Sequence, residues 1–261
     1  MSTTALAAPI PMNTAGVHAR PHLGRLVAVE LRKMVNTRAG FWLQVAIPAL
    51  TVVVVAVRLL VGDPADHTFQ SVLDAGLQPA AILLPVLGIL LVTSEWSQRT
   101  GLITFTLVPV RSRVLGAKLI ASLLRAVAML ATSVAIVAIG VLVSSPGVEA
   151  TWSDAAPLIG QSAVYLTTMM LVGLGFGAIL LAAAPAIVLL FALPMAWMAV
   201  VSLSVFSDIA PWVDNASALG QMTLGVMDAT QWAHAGTSLT IWMVLPLLIG
   251  AWRITRREIT A

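Results

Sequence analysis

Six stretches of the chain are apolar over the distance an α-helix needs to cross hydrocarbon, and this decides more than any other feature of the sequence. They run from Gly40 to Val61, Leu77 to Val92, Ile120 to Val143, Pro157 to Leu181, Ala186 to Phe206 and Leu239 to Trp252. A bilayer core about 30 Å thick calls for about 20 such residues per helix, and only closed hydrogen-bonded elements cross it. The fourth and fifth stretches are separated by an uncharged link, Ala182 to Pro185. A single helix from Pro157 to Phe206 would be about 75 Å long, more than twice the membrane thickness, so the chain has to turn, and Pro185 is where it can. Only 10% of the residues are charged, whereas soluble domains carry about 25%. A water-soluble fold is excluded, and 261 residues leave no room for a sizeable soluble domain beside six spans. The reading is an all-α polytopic membrane protein: one transmembrane domain over residues 20–261, preceded by a disordered tail over 1–19.

The connections between spans are segregated by charge. Arg20, Arg25, Arg32, Lys33 and Arg38 precede the first span; Arg99, Arg111, Arg113 and Lys118 lie between the second and third; Arg253, Arg256 and Arg257 follow the last. The alternate connections hold Asp63, Asp66, Asp74, Glu149, Asp154, Asp208, Asp214 and Asp228, with no Lys or Arg. The positive-inside rule then puts both termini in the cytoplasm, which requires an even number of spans. The net charge of +3 comes from residues flanking lipid-length runs, so nucleic acid is not the implied partner. With no cysteine in the chain, a disulfide framework, a thiolate metal site and a cysteine nucleophile are all excluded. The four histidines fall on two membrane sides and do not converge on a metal or a catalytic base.

Two basic residues lie inside spans. Arg58 sits near the outer end of the first and Arg125 one heptad beyond Lys118 in the third; each either extends to the interface or serves a transport pathway. Gln44, Tyr165 and Thr168 join them as candidate pathway residues among the few polar side chains in the spans, and a lining so apolar suits a hydrophobic or amphipathic cargo. Gly173 and Gly177 form a G-x-x-x-G step that allows close helix approach, read as packing within one subunit rather than a dimer seam.

Two segments on the basic side have their own character. Leu23, Leu26, Val27, Leu31, Met34 and Val35 recur at helical spacing ahead of the first span, the pattern of an amphipathic helix lying at the interface. It is either a surface anchor or an elbow that also touches a partner through Glu30 and Lys33. The stretch Glu95 to Lys118 is far longer than a hairpin needs and mixes charges with Leu102, Ile103, Phe105, Leu107 and Val108 before Pro109. A short surface helix from Glu95 to Leu107 would expose an apolar face that needs a cover.

These residues carry a family resemblance. Glu30, Arg32 and Lys33 match an E-x-R-K helix before the first span. Glu95, Arg99, Thr100, Gly101, Pro109, Ser112, Arg113 and Lys118 follow the pattern of the first cytoplasmic loop, with Leu102 beside them as a further contact candidate. The chain resembles the permease subunits of bacterial ABC type-2 exporters, with one departure, Thr100-Gly101 in place of the commoner Gly-Thr order. The resemblance implies a multi-pass subunit of the bacterial inner membrane. It implies a homo- or heterodimer of permeases in the lipid, gripped by cytoplasmic ATPase subunits that bind ATP and Mg. The named residues of the elbow and first loop would make that contact. It also implies short re-entrant helices between the fifth and sixth spans, across Ser207 to Ser238, where the residues alone read equally as an interfacial loop anchored by Trp212 and Trp232. The chain has no phosphate-binding loop, since Gly116-Ala117-Lys118 lacks the spacing and hydroxyl of G-x-x-x-x-G-K-[ST], so it is read as no enzyme by itself. An ion-coupled transporter or a membrane scaffold is the alternative.

Overall fold

The computed structural model describes residues 21–63, 67–97, 110–144, 152, 154–201 and 209–256, and every regular element among them is a helix. In chain order these are α1 (Leu23–Asn36), α2 (Arg38–Val61), α3 (Phe69–Ser97), α4 (Arg111–Ser144), α5 (Ala155–Leu180), α6 (Ala183–Val201), α7 (Ala210–Val213), α8 (Asn215–Leu224) and α9 (Ala229–Leu239). A π-helical turn, Thr240–Val244, then joins α9 to α10 (Leu245–Arg256). Helices α2 to α6, together with the continuous run Ala229–Arg256, make six that are long and apolar enough to cross a bilayer, the make-up of a multi-pass membrane protein. The tail over 1–19 lies outside the described residues.

The observed helices outrun the apolar stretches that mark them. The second begins at Phe69 rather than Leu77, the third at Arg111 rather than Ile120, and the sixth at Ala229 rather than Leu239. A helix continues past the hydrocarbon wherever its first turns pack on protein: Phe69, Val72 and Leu73 are fully buried, as are Val114 and Ala117. At Ala229 the start is fixed locally, because the Asp228 carboxylate accepts from Gln231 N at 2.8 Å while Gln231 Oε1 accepts from Asp228 N at 2.9 Å. The break between α5 and α6 falls at Leu181, in the left-handed region at φ 56°, and Ala182. Pro185 lies just beyond, in the first turn of α6, where its missing N–H would have had no helical partner.

Helices α3 and α5 form the centre. About two thirds of the apolar window of each is buried, at 67% and 61%, against 17% for α2 and 11% for α6. Glycine makes this central contact close. A Cβ on Gly173 would come within 1.9 Å of Pro85 O, and one on Gly177 within 3.0 Å of Ile89 Cα, both on α3. Gly175, between them, faces Pro246 and Leu247 of α10 instead. The G-x-x-x-G step therefore packs inside the chain, as read from the sequence. Outside this centre, α2, α4 and α6 present Val52, Val53, Leu60, Leu124, Ile139, Val188 and Met195 to their surroundings, as spans facing lipid do.

Candidate functional site

The sequence separates α1 from α2 by one residue. Thr37 is extended, its Oγ1 accepts from Gly40 N at 3.1 Å, and no side chain fits at Gly40, where a Cβ would sit 2.1 Å from Met34 O. This corner holds α1 against the ends of α3 and α4 with Val27, Glu30 and Met34 turned inward. An acidic residue on the buried stripe of a helix is unfavourable unless it meets a partner there. Glu30 meets two.

Glu30, Lys33, Glu95 and Lys118 form a closed ring of alternating charge. Glu30 Oε1 lies 2.7 Å from Lys33 Nζ, and Glu30 Oε2 lies 2.7 Å from Lys118 Nζ. Glu95 Oε1 completes the ring, 2.6 Å from Lys33 Nζ and 3.1 Å from Lys118 Nζ. Lys118 directs its remaining N–H to Leu91 O at 3.1 Å, so each of its three donors has an acceptor. Glu30, Glu95 and Lys118 are 3%, 4% and 2% exposed, and only Lys33 reaches outward. Burial alone would lower the pKa of the Lys33 ammonium, but the Glu95 and Glu30 carboxylates outweigh it and hold the pKa above the ordinary lysine value. Two positive and two negative charges cancel, which is the condition under which buried ions are tolerated. Through this ring α1 is joined to the last turn of α3 and the second turn of α4.

Three further contacts gather the same end of the bundle. Arg111 Nη1 donates to Ile254 O at 2.8 Å and Thr255 O at 3.2 Å, carbonyls of the last turn of α10. Arg113 Nη2 donates to Pro21 O at 2.9 Å, ahead of α1, and Gln44 Nε2 donates to Met34 O at 2.8 Å.

The structure sorts the sequence-selected residues. Glu30, Lys33, Glu95 and Lys118 come together, Arg113 joins them through the chain ahead of α1, and Arg32 faces away and is exposed. Glu95 lies within α3 rather than at the start of a surface helix. Arg99, Thr100, Gly101, Leu102 and Pro109 lie outside the described residues, as does the remainder of the surface helix drawn from Glu95 to Leu107. The five pathway candidates do not form one lining. Gln44 is spent on backbone carbonyls, and Thr168 Oγ1 donates to Val164 O at 2.8 Å within its own helix. Arg58 is half-buried beside Gly62, and Arg125 is half-buried on α4 with an Nε that has no hydrogen-bond partner. Tyr165 alone among them lines the cavity between α3, α5 and α6.

The opposite end of α3 holds a second network that the sequence did not single out. Gln161 Nε2 donates to Gly225 O at 2.7 Å and Met222 O at 3.1 Å, and its Oε1 accepts from Met227 N at 2.8 Å. One side-chain amide thus closes the turn between α8 and α9. Thr223 Oγ1 donates to Asp74 Oδ1 at 2.6 Å, and Gln70 donates to Leu224 O. Leu219 and Met222 are buried against Val164, Tyr165 and Met169. The segment between the fifth and sixth spans is therefore mostly helical where it is described: α8 docks on α3 and α5, α7 packs on α8 and α9, and α9 belongs to the last long helix. A polar Gln161 in an apolar span was its one visible sign; nothing in the sequence named the backbone it holds.

Asp74 and Glu95 are 21 positions apart on α3, about 32 Å along the helix and close to the thickness of a hydrocarbon core. The two networks therefore stand at the two ends of the bundle. No family model matches the chain, and a comparison with curated proteins finds no match.

Proposed function

We propose that the chain is the membrane-spanning permease subunit of an ATP-driven exporter, working in the bacterial inner membrane with ATP and Mg bound by a separate ATPase. Both termini and the ionic ring face the cytoplasm in this reading, as the basic connections require. Six spans with no phosphate-binding loop, and the E-x-R-K and first-loop motifs, support it. The observation that carries it is the ring itself. Residues 98–109, the motif segment a partner would grip, run between Glu95 on α3 and Lys118 on α4, and both side chains are bonded to Glu30 of α1 or its neighbour Lys33. A push on that segment would reach α1, α3 and α4 together rather than bend a loose loop. The elbow residues Glu30 and Lys33 would then transmit force inside the chain, leaving exposed Arg32 and the residues around Arg99 and Leu102 to face the ATPase.

Purification of the tagged chain from its own cells in mild detergent tests this. A soluble ATPase is expected to stay bound, and replacing Arg99 and Leu102 together with alanine is expected to release it while the permease remains folded. Glu95 is kept intact in this test because its removal would strand buried charge. Recovery of a folded, substrate-moving chain that works in vesicles on a proton gradient without ATP would overturn the reading.

A further inference from the structure

We infer that the cavity between α3, α5, α6 and the last long helix binds an uncharged amphiphile, one with a hydroxyl, amide or carbonyl end and a compact apolar body. The cavity measures about 170 Å³ and is walled by Met169, Phe176, Phe191 and Trp242, with Gln78, Tyr165 and Asn215 as its polar residues. Gln78 is four positions past Asp74 on α3 and Tyr165 four past Gln161 on α5, about 6 Å along each helix, so the polar residues lie just inside the end of the bundle that holds the second network. Gln78 is exposed and Tyr165 and Asn215 are half-buried; none of the three side chains is hydrogen-bonded among the described residues, and Asn215 Oδ1 is buried without a partner. A polar group away from water costs free energy until something pairs with it. Here one such group belongs to Asn215, and Gln78 and Tyr165 bring further unspent hydrogen-bonding capacity to the same apolar chamber, the arrangement of a small-molecule site.

The chemistry of the walls selects the ligand. Each of the three side chains can both donate and accept, which fits a neutral polar group of either sense. No Asp, Glu, Lys or Arg lines the cavity, so a charged headgroup would find no counter-ion there. The volume is below the roughly 300–1,000 Å³ of sites that enclose a drug-sized molecule, so a compact ligand, or the polar end and first carbons of a longer one, is what fits. The π-helical turn Thr240–Val244 forms part of the wall: it carries Trp242, whose Nε1 donates at 2.7 Å to the O of Val213, two residues ahead of Asn215. Single π-helical turns within α-helices are frequent at functional sites. Occupation of the cavity would therefore be felt by α7 and α8, which meet the wall through Trp242 and Asn215.

The inference deepens the exporter reading by placing a ligand on one subunit, but its test needs no ATPase and so stands or falls separately. The purified chain in phosphatidylcholine nanodiscs is photolabelled with a diazirine-bearing dodecanol, and labelled residues are mapped by mass spectrometry. Labelling is expected to concentrate on the Gln78–Pro85 and Tyr165–Phe176 segments, and to be blocked by Ala81→Leu, which fills the chamber. Because a filling substitution can disturb packing, Tyr165→Phe serves as the second variant; removing one oxygen should weaken labelling by about two- to tenfold with unchanged thermal unfolding. Even labelling of lipid-facing positions such as Val52 and Val53, unaltered by Tyr165→Phe, would overturn the site. Preferred labelling by the corresponding fatty carboxylate would overturn the ligand class.

Discussion

The two ends of the bundle are held by different chemistry. One end is closed by four ions in a ring, three of them almost wholly buried; the other by neutral donors and acceptors, chiefly Gln161 on the α8–α9 turn and Thr223 on Asp74. Buried ions are all-or-none: removing one strands its partners away from water, at a cost of about 3–5 kcal/mol. A neutral hydrogen bond exchanged for water changes stability by only about 0.5–1.5 kcal/mol. Under the exporter reading the ionic end would respond as a unit, whereas the amide-held end would give way bond by bond.

Five measurements test this contrast. The largest effect belongs to Lys118→Met, which leaves Glu30 and Glu95 facing each other with only half-exposed Lys33 between them; detergent thermal unfolding should show a loss of about 3–5 kcal/mol. Replacing Glu30 and Lys118 together by Gln and Met should cost clearly less than the sum of the two single changes, and additive losses would mean the ring is not a unit. Next comes Gly173→Ala, whose methyl meets Pro85 O and must force α3 from α5, for about 1–3 kcal/mol measured in the same way. Gln161→Leu follows at about 1–3 kcal/mol, because Met222 O, Gly225 O and Met227 N lose their partner together. Its signature is local: hydrogen exchange should quicken over residues 215–227 and not over α1.

The smallest effect is the pH dependence of Lys33. Its ammonium pKa is raised in the folded chain, so its stabilising contribution is complete below 10.5, the ordinary lysine value, and is lost as pH rises through the folded value. Melting temperature should fall above about pH 10.5 more steeply for the native chain than for Lys33→Met.

What the sequence made legible follows from the physics of each feature. Spans are written in contiguous apolar runs, because lipid acts on every residue of a helix at once, and so their number and order could be read directly. Their ends could not, since Phe69 to Gly76 and Arg111 to Leu119 are helical through contacts with protein rather than lipid. Glu30, Lys33, Glu95 and Lys118 were each visible as candidates, yet as partner contacts. Their meeting depends on side chains 62 positions apart for Lys33 and Glu95, and 88 for Glu30 and Lys118, distances at which no local pattern survives. Gln161 is a polar residue in an apolar span, but its partners are backbone groups, which every residue carries. Tyr165 was selected for its polarity, and its role as a cavity wall depends on how far α6 stands from α3.

The claim on which the rest depends is that the ionic end of the bundle faces the cytoplasm. Because the chain has no cysteine, a single Thr104→Cys variant can be probed directly in intact cells with a membrane-impermeant maleimide. The account predicts no labelling until the cells are permeabilised, with Ser217→Cys at the opposite end labelled from outside; labelling of Thr104→Cys in intact cells would contradict it.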